Sequence, residues 1–295
     1  MRANSKRVVA AATLCACLSG ALGAQSGEHV LAARHATRRT AFKVFLPNGR
    51  LRIVAWDRDS VVVRGHPGRG EGFYFGGDTT GIKFGMEPRY DDDKPGSSPA
   101  SSLVVYLPRR SMMSAKTATA SIDATGVSGW FYSVSGAIRL SGAATSIEAE
   151  SMTGDLDLNV ATPYLKARTG DGHLLLRGTP EDVDVGTIGG TLDIATSSPR
   201  RGVFGTVSGA IHYAAAPATG GIFEFSSHSG AVDLLLPPTV SGLFTLSSIT
   251  GRIDNGIAAI HPVSAGGPHS MRLTAGTGGA TITVRTFKGT IRLRN

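Results

Sequence analysis

The chain has 295 residues, 41% hydrophobic and 18% charged, with a formal net charge of +8 that falls to +5 without Arg2, Lys6 and Arg7 of the N-terminal leader. Only 6% of its residues are aromatic. A nucleic-acid binder needs a basic stripe with interleaved aromatics, so this mild charge excludes that class. The only cysteines, Cys15 and Cys17, lie in the leader, which excludes a disulfide-stapled fold.

Met1 to Arg7 is a positive stretch, Val8 to Leu18 is apolar, and small residues run from Ser19 to Ala24. This pattern predicts a secretory signal peptide over residues 1–24. The apolar run is too short for a transmembrane span. A second reading stays open: Leu14-Cys15-Ala16-Cys17 is lipobox-like and would make Cys17 a lipidated N-terminus. The Cys at its second position is unusual. Either way the expected location is outside the cytoplasm: periplasmic, cell-surface or secreted, with lipid anchoring as the alternative.

Residues 25–40 are polar and basic and are expected to form a flexible lead-in. Residues 41–110 then predict irregular strands. Phe42 to Leu46 and Leu51 to Trp56 flank the turn Pro47-Asn48-Gly49, and Asp57-Arg58-Asp59 turns before Val61-Val62-Val63. Gly65 to Gly81 is glycine-rich and holds Phe73-Tyr74-Phe75. These aromatics and Arg69 are the candidate ligand-binding residues, suited to an envelope glycan, a lipid or a partner protein. The competing reading is a strand with Phe73 and Phe75 inward and Tyr74 outward. Asp91 to Ser102 reads as a polar loop, and Leu103 to Pro108 as a strand.

From residue 111 to 295 one phrase recurs: a hydroxyl residue, two spacers, a glycine, a spacer, an aliphatic. Its glycines are 136, 154, 172, 190, 209, 230, 251 and 289, spaced by 18, 18, 18, 19, 21 and 21 before a break. Such a period marks a solenoid. Two residues after the glycine every copy is aliphatic, from Ile138 to Ile291, and four after it seven of eight are apolar. Period-2 alternation means a strand. A second apolar pair stands five and seven residues before the glycine. An 18-residue unit with two strands has no room for a helix. The expected fold is all-β, a single-stranded parallel β-helix with repeats of about 18–21 residues, its eight units spanning on the order of 40 Å. The glycine is expected at a corner, through positive φ or close approach to the next unit. The hydroxyl column, Ser133 to Thr286, reads as turn chemistry; the rival is a hydroxyl-lined ligand groove. Gly256 to His269 reads as an insertion, with Gly278 opening a shortened last unit.

Three residues after the glycine the side chain should face out, and this column holds Asp157, Asp193, Asp233 and Asp254. In sequence order Asp233 and Asp254 would be neighbours, as a cation site or acid/base pair requires. Calcium needs six to eight oxygens and a glycosidase two carboxylates over a groove. Leu175 and His212 interrupt the row, so solvated charge is the plainer reading. His173, His212 and His228 lack metal-ligand spacing. No nucleophile elbow, phosphate loop or dinucleotide fingerprint occurs.

Gly49-Arg50-Leu51-Arg52-Ile53-Val54-Ala55-Trp56-Asp57, Val104-Val105-Tyr106-Leu107-Pro108 and the repeats together resemble the bacterial putative-adhesin, β-strand-repeat families of unknown function, related to the auto-transporter adhesin head domain. The resemblance covers roughly residues 42 to 295. It implies an exported, envelope-associated β-solenoid and supplies no catalytic residues. The expected function is adhesin-like binding or structure without catalysis, cofactor or metal. The alternative is a carbohydrate-active β-helix enzyme, a polysaccharide lyase or glycosidase acting on an envelope or extracellular polysaccharide.

Overall fold

The computed structural model describes residues 29–68, 70–88, 100–196, 199–257, 260–265, 267, 269–277 and 279–295. Among them there is no α-helix, and 25 strands join in one sheet. The first part forms β1 (His29–His35), β2 (Ala41–Leu46), β3 (Arg50–Trp56), β4 (Ser60–His66), β5 (Glu71–Gly77), β6 (Gly81–Pro88) and β7 (Ser102–Pro108). The repeats supply β8 (Met112–Thr117), β9 (Ser121–Thr125), β10 (Ser128–Ser133), β11 (Ile138–Ala143), β12 (Ile147–Ser151) and β13 (Leu156–Thr169). They continue as β14 (Leu174–Thr187), β15 (Leu192–Thr196), β16 (Arg201–Thr206), β17 (Ile211–Ala214), β18 (Ile222–Ser227) and β19 (Val232–Leu235). The last strands are β20 (Gly242–Ser248), β21 (Ile253–Asn255), β22 (Ile260–Ala265), β23 (Ser270–Ala275), β24 (Ala280–Thr286) and β25 (Ile291–Arg294).

Each repeat puts one strand before its glycine and one after it. The upstream strands pair in parallel in the order β8, β10, β12, β13, β14, β16, β18. The downstream strands pair in the order β9, β11, β13, β14, β15, β17, β19. β13 and β14 run through both ladders. Register follows the glycine alignment: Ile138 faces Leu156, which faces Leu174, then Leu192, Ile211 and Val232. The four apolar columns therefore stack into one core. Phe131, Leu156, Val185, Leu192, Phe204 and Leu234 are all essentially inaccessible to solvent.

The glycines act by close approach alone. None of the eight repeat glycines has positive φ. A methyl group on Gly209 would overlap the carbonyl oxygen of Gly190, and one on Gly190 that of Gly172. The hydroxyls belong to the same corner. Ser133, Ser151 and Thr187 accept from the amides of Gly136, Gly154 and Gly190 at 2.8, 2.9 and 3.0 Å. Thr169 and Thr187 donate to the Gly154 and Gly170 carbonyls of the preceding unit at 3.0 and 2.8 Å. The buried column is turn chemistry, its hydroxyls bonded to corner backbone.

The ends depart from the expected regular stack in two ways. First, the sheet is mixed. β1, β4 and β5 pair antiparallel at one end (β1–β4, β4–β7, β5–β6), as do β22 and β23 at the other (β20–β23, β22–β23). β1 lies inside the segment expected as a flexible lead-in. The antiparallel strands β1, β5 and β22 close off the two ends of the parallel ladders, as atypical terminal units do in repeat arrays. Second, spatial order is not chain order. β24 pairs with both β18 and β20, and β25 with both β19 and β21. The Gly289 unit is thus inserted between those of Gly230 and Gly251. The expected Asp233–Asp254 neighbours are corrected accordingly: Arg292 stands between them, opposite both. Gly278, expected to open the last unit, and residues 91–99 of the loop expected over Asp91 to Ser102 lie outside the described residues.

One buried group is poorly matched to its place. Tyr213 occupies the fourth position after the glycine, where its neighbours are Ile194 and Leu234. Its ring packs edge-on against Phe225 at 5.2 Å, and Phe204 stacks on Phe225 at 4.9 Å. The phenol oxygen has no hydrogen-bond partner, and burial pushes its pKa up. Tyr213→Phe keeps the ring and removes the unpaired hydroxyl. It should raise unfolding stability by about 1 kcal/mol in urea titration. A loss of stability would mean the hydroxyl has a bonding partner.

Candidate functional site

A fifth column, two residues before the glycine, points outward at the corner. Met152, Ile188 and Val207 are 57%, 59% and 49% exposed, and Val134, Ile249 and Phe287 are also exposed. Large apolar side chains thus recur along the stack as a ridge, interrupted by Gly170 between Met152 and Ile188 and by His228 between Val207 and Phe287. In the inserted order the ring of His228 stacks on that of Phe287 at 5.0 Å.

Beside this ridge runs a groove of about 920 Å³, reaching from Tyr132 to Ser226. Its floor follows from the column four residues before the glycine, which reads Tyr132, Glu150, Arg168, Gly186, Gly205, Ser226 in register. Gly186 and Gly205 pair on adjacent strands; the Arg168 side chain lies against the buried Gly186, and the sheet surface is open at Gly205. Met152, Ile188 and Val207 border one side, and Asp184 and Val203 the other.

The groove's charges are mostly acidic. Glu150, Asp171 and Asp184 line it against one cation, Arg168. Arg168 bonds Asp184 at 2.5 Å and the Asp184 carbonyl at 2.7 Å. Next to it Lys166 pairs with Glu148 and lies 3.9 Å from Glu150. The hydrogen bond and charge of Glu148 raise the Lys166 pKa, so the ammonium stays charged. At the Tyr132 end, Trp130 stacks on Tyr132 at 5.5 Å and the Lys116 ammonium lies 5.7 Å from the Tyr132 ring.

The residues singled out in the sequence lie elsewhere. Phe73, Tyr74 and Phe75 sit on β5, at the far end of the upstream ladder, with β6, β2 and β8 between them and β10. Phe73 and Phe75 pack against the core, and Phe75 stacks on Phe84 at 6.1 Å with the Arg34 guanidinium 5.1 Å from its ring. Tyr74 is half-buried, and burial and then the Glu87 charge raise its pKa. Arg69 and Cys17 lie outside the described residues. The outward carboxylates are engaged by Arg and His side chains rather than by one another. Arg177 bonds Asp157 at 2.6 Å, His173 meets Asp193 at 2.6 Å, and Arg292 and Arg294 meet Asp233 at 3.2 and 3.5 Å. Among the described residues no group of three or more His, Cys, Asp or Glu is placed to hold a metal ion.

The groove was missed because its ridge residues stand in a column treated as spacer. The signal was present: Val134, Met152, Ile188, Val207, Ile249 and Phe287 are too apolar for solvated turn positions.

No protein-family model and no curated protein matches the chain. Solved structures similar to it include a putative lipid binding protein from Parabacteroides distasonis, 10% identical, with a TM-score of 0.49 over 92% of this chain and 98% of that one. A putative adhesin from Bacteroides fragilis is 7% identical, with a TM-score of 0.44 over 91% and 98%. A putative cell adhesion protein from Clostridium sporogenes is also 7% identical, with a TM-score of 0.23 over the same shares.

Proposed function

We propose that the protein is an exported, envelope-associated β-solenoid, a single-stranded parallel β-helix with antiparallel ends, that binds an envelope component without catalysis. The leader over residues 1–24 supports export; cleavage after it, or lipidation at Cys17, would fix whether the protein is free or anchored. The two parallel ladders in glycine register support the solenoid. The observation that carries the binding role is the groove beside the exposed Met152, Ile188 and Val207 ridge. Several large apolar side chains left exposed beside one groove are a mark of a docking surface. The rival polysaccharide lyase or glycosidase needs two carboxylates free to act across a groove; in this one Asp184 is bonded to Arg168 and Glu150 lies 3.9 Å from Lys166. The Phe73 to Phe75 strand is the second candidate contact region, with Tyr74 as the ring it would offer.

The test is the combined substitution Met152→Ser, Ile188→Ser, Val207→Ser. All three side chains are exposed, so circular dichroism and melting temperature should be unchanged. Binding to a washed envelope fraction should fall at least about tenfold, the loss expected when apolar anchors are truncated. Undiminished binding would overturn the assignment of the groove.

A further inference from the structure

We propose that the groove takes a single aliphatic chain bearing a cationic head, laid along the stack of units. This rests on the binding role above and names the ligand of that same site. The volume, about 920 Å³, falls in the range of small-molecule sites rather than protein interfaces. The groove crosses β12, β13, β14, β16 and β18, whose backbone groups are paired with one another along the stack. Its bordering hydroxyls are already used: Thr169, Thr187 and Thr206 donate to turn carbonyls, and Ser151 accepts from Gly154. A peptide or sugar would leave water there and find few partners in exchange. An alkyl chain has no polar groups to satisfy, and it can lie over Gly205 and along the Arg168 methylenes at Gly186, against Met152, Ile188 and Val207.

Charge selects the head. Around the groove Glu148, Glu150, Asp171 and Asp184 stand against Lys166 and Arg168, an acidic excess of two, although the chain as a whole carries +8. An anionic head would be repelled locally and a cationic one attracted, by an interaction that salt screens.

Calorimetric titration of the whole protein with dodecyltrimethylammonium and with dodecanoate, both below micelle formation and at low ionic strength, tests this. The cationic probe should saturate one site with a Kd at least tenfold below that of dodecanoate, and added salt should shrink the difference. Gly205→Leu should abolish binding. A Cβ there meets only Ser226 Oγ, at 3.3 Å, and the rest of the leucine extends into the groove, so the melting temperature should hold. Glu150→Gln with Asp171→Asn should keep chain binding and remove the preference. Absence of saturable binding, a tighter dodecanoate complex, or full binding by stable Gly205→Leu protein would each overturn the inference. The envelope assay with the ridge variant reads the binding role separately, and its loss of binding alongside a failed titration would leave that role standing with a different ligand.

Discussion

Gly209→Ala should destabilise the protein by about 3 kcal/mol or more, an overpacking cost at the upper end for one added methyl. The methyl would overlap the backbone carbonyl of Gly190, and it would also lie 3.0 Å from the Gly189 oxygen. Backbone cannot move aside as a side-chain tip can. To relieve the overlap the two units must separate, and that lengthens the hydrogen bonds of both ladders. Gly205→Ala, four residues upstream on the outer face, should change the unfolding free energy from urea titration by less than about 0.5 kcal/mol. Equal effects at the two sites would show that the corners are not in contact.

Leu192→Asp should be at least as damaging, costing about 4 kcal/mol or more and leaving little folded protein. Leu192 is fully buried and stacks between Leu174 and Ile211. A carboxylate there has no cation within the core, and a one-residue slip to turn it outward would reverse every side chain of its strand. Thr191→Asp, one residue away and facing out, should cost less than about 1 kcal/mol in the same titration. Similar losses from the two would mean the inward and outward columns are assigned the wrong way round.

The repeat core was legible because it is one-dimensional. Ile138, Leu156, Leu174 and Leu192 recur at a fixed distance from a glycine, and the same spacing that aligns them in the chain stacks them in space. The order of the last units was not legible that way. Pairing at an open edge depends on which edge the chain can reach, and a repeat motif is the same on either edge. A charge signal was nonetheless present: chain order would stack Asp233 on Asp254, whereas insertion of the Gly289 unit places Arg292 between them. The groove needed more still. Gly186 and Gly205 look like ordinary strand glycines until their register brings them face to face. The aromatic run drew attention because Phe73, Tyr74 and Phe75 are adjacent, yet adjacency in a strand sends neighbours to opposite faces, and two of the rings pack on the core.

The most direct test of binding through the groove is methyl NMR. Spectra with labelled Met, Ile and Val methyls would be recorded with and without a solubilised envelope fraction. If the groove is the contact surface, the methyls of Met152, Ile188 and Val207 shift together and saturably, while those of buried Val183, Ile211 and Val232 stay in place. Saturable shifts confined to Ile82 and Met86, on the strand that pairs with Phe73 to Phe75, with the ridge methyls unmoved, would contradict it and move the site to the aromatic strand.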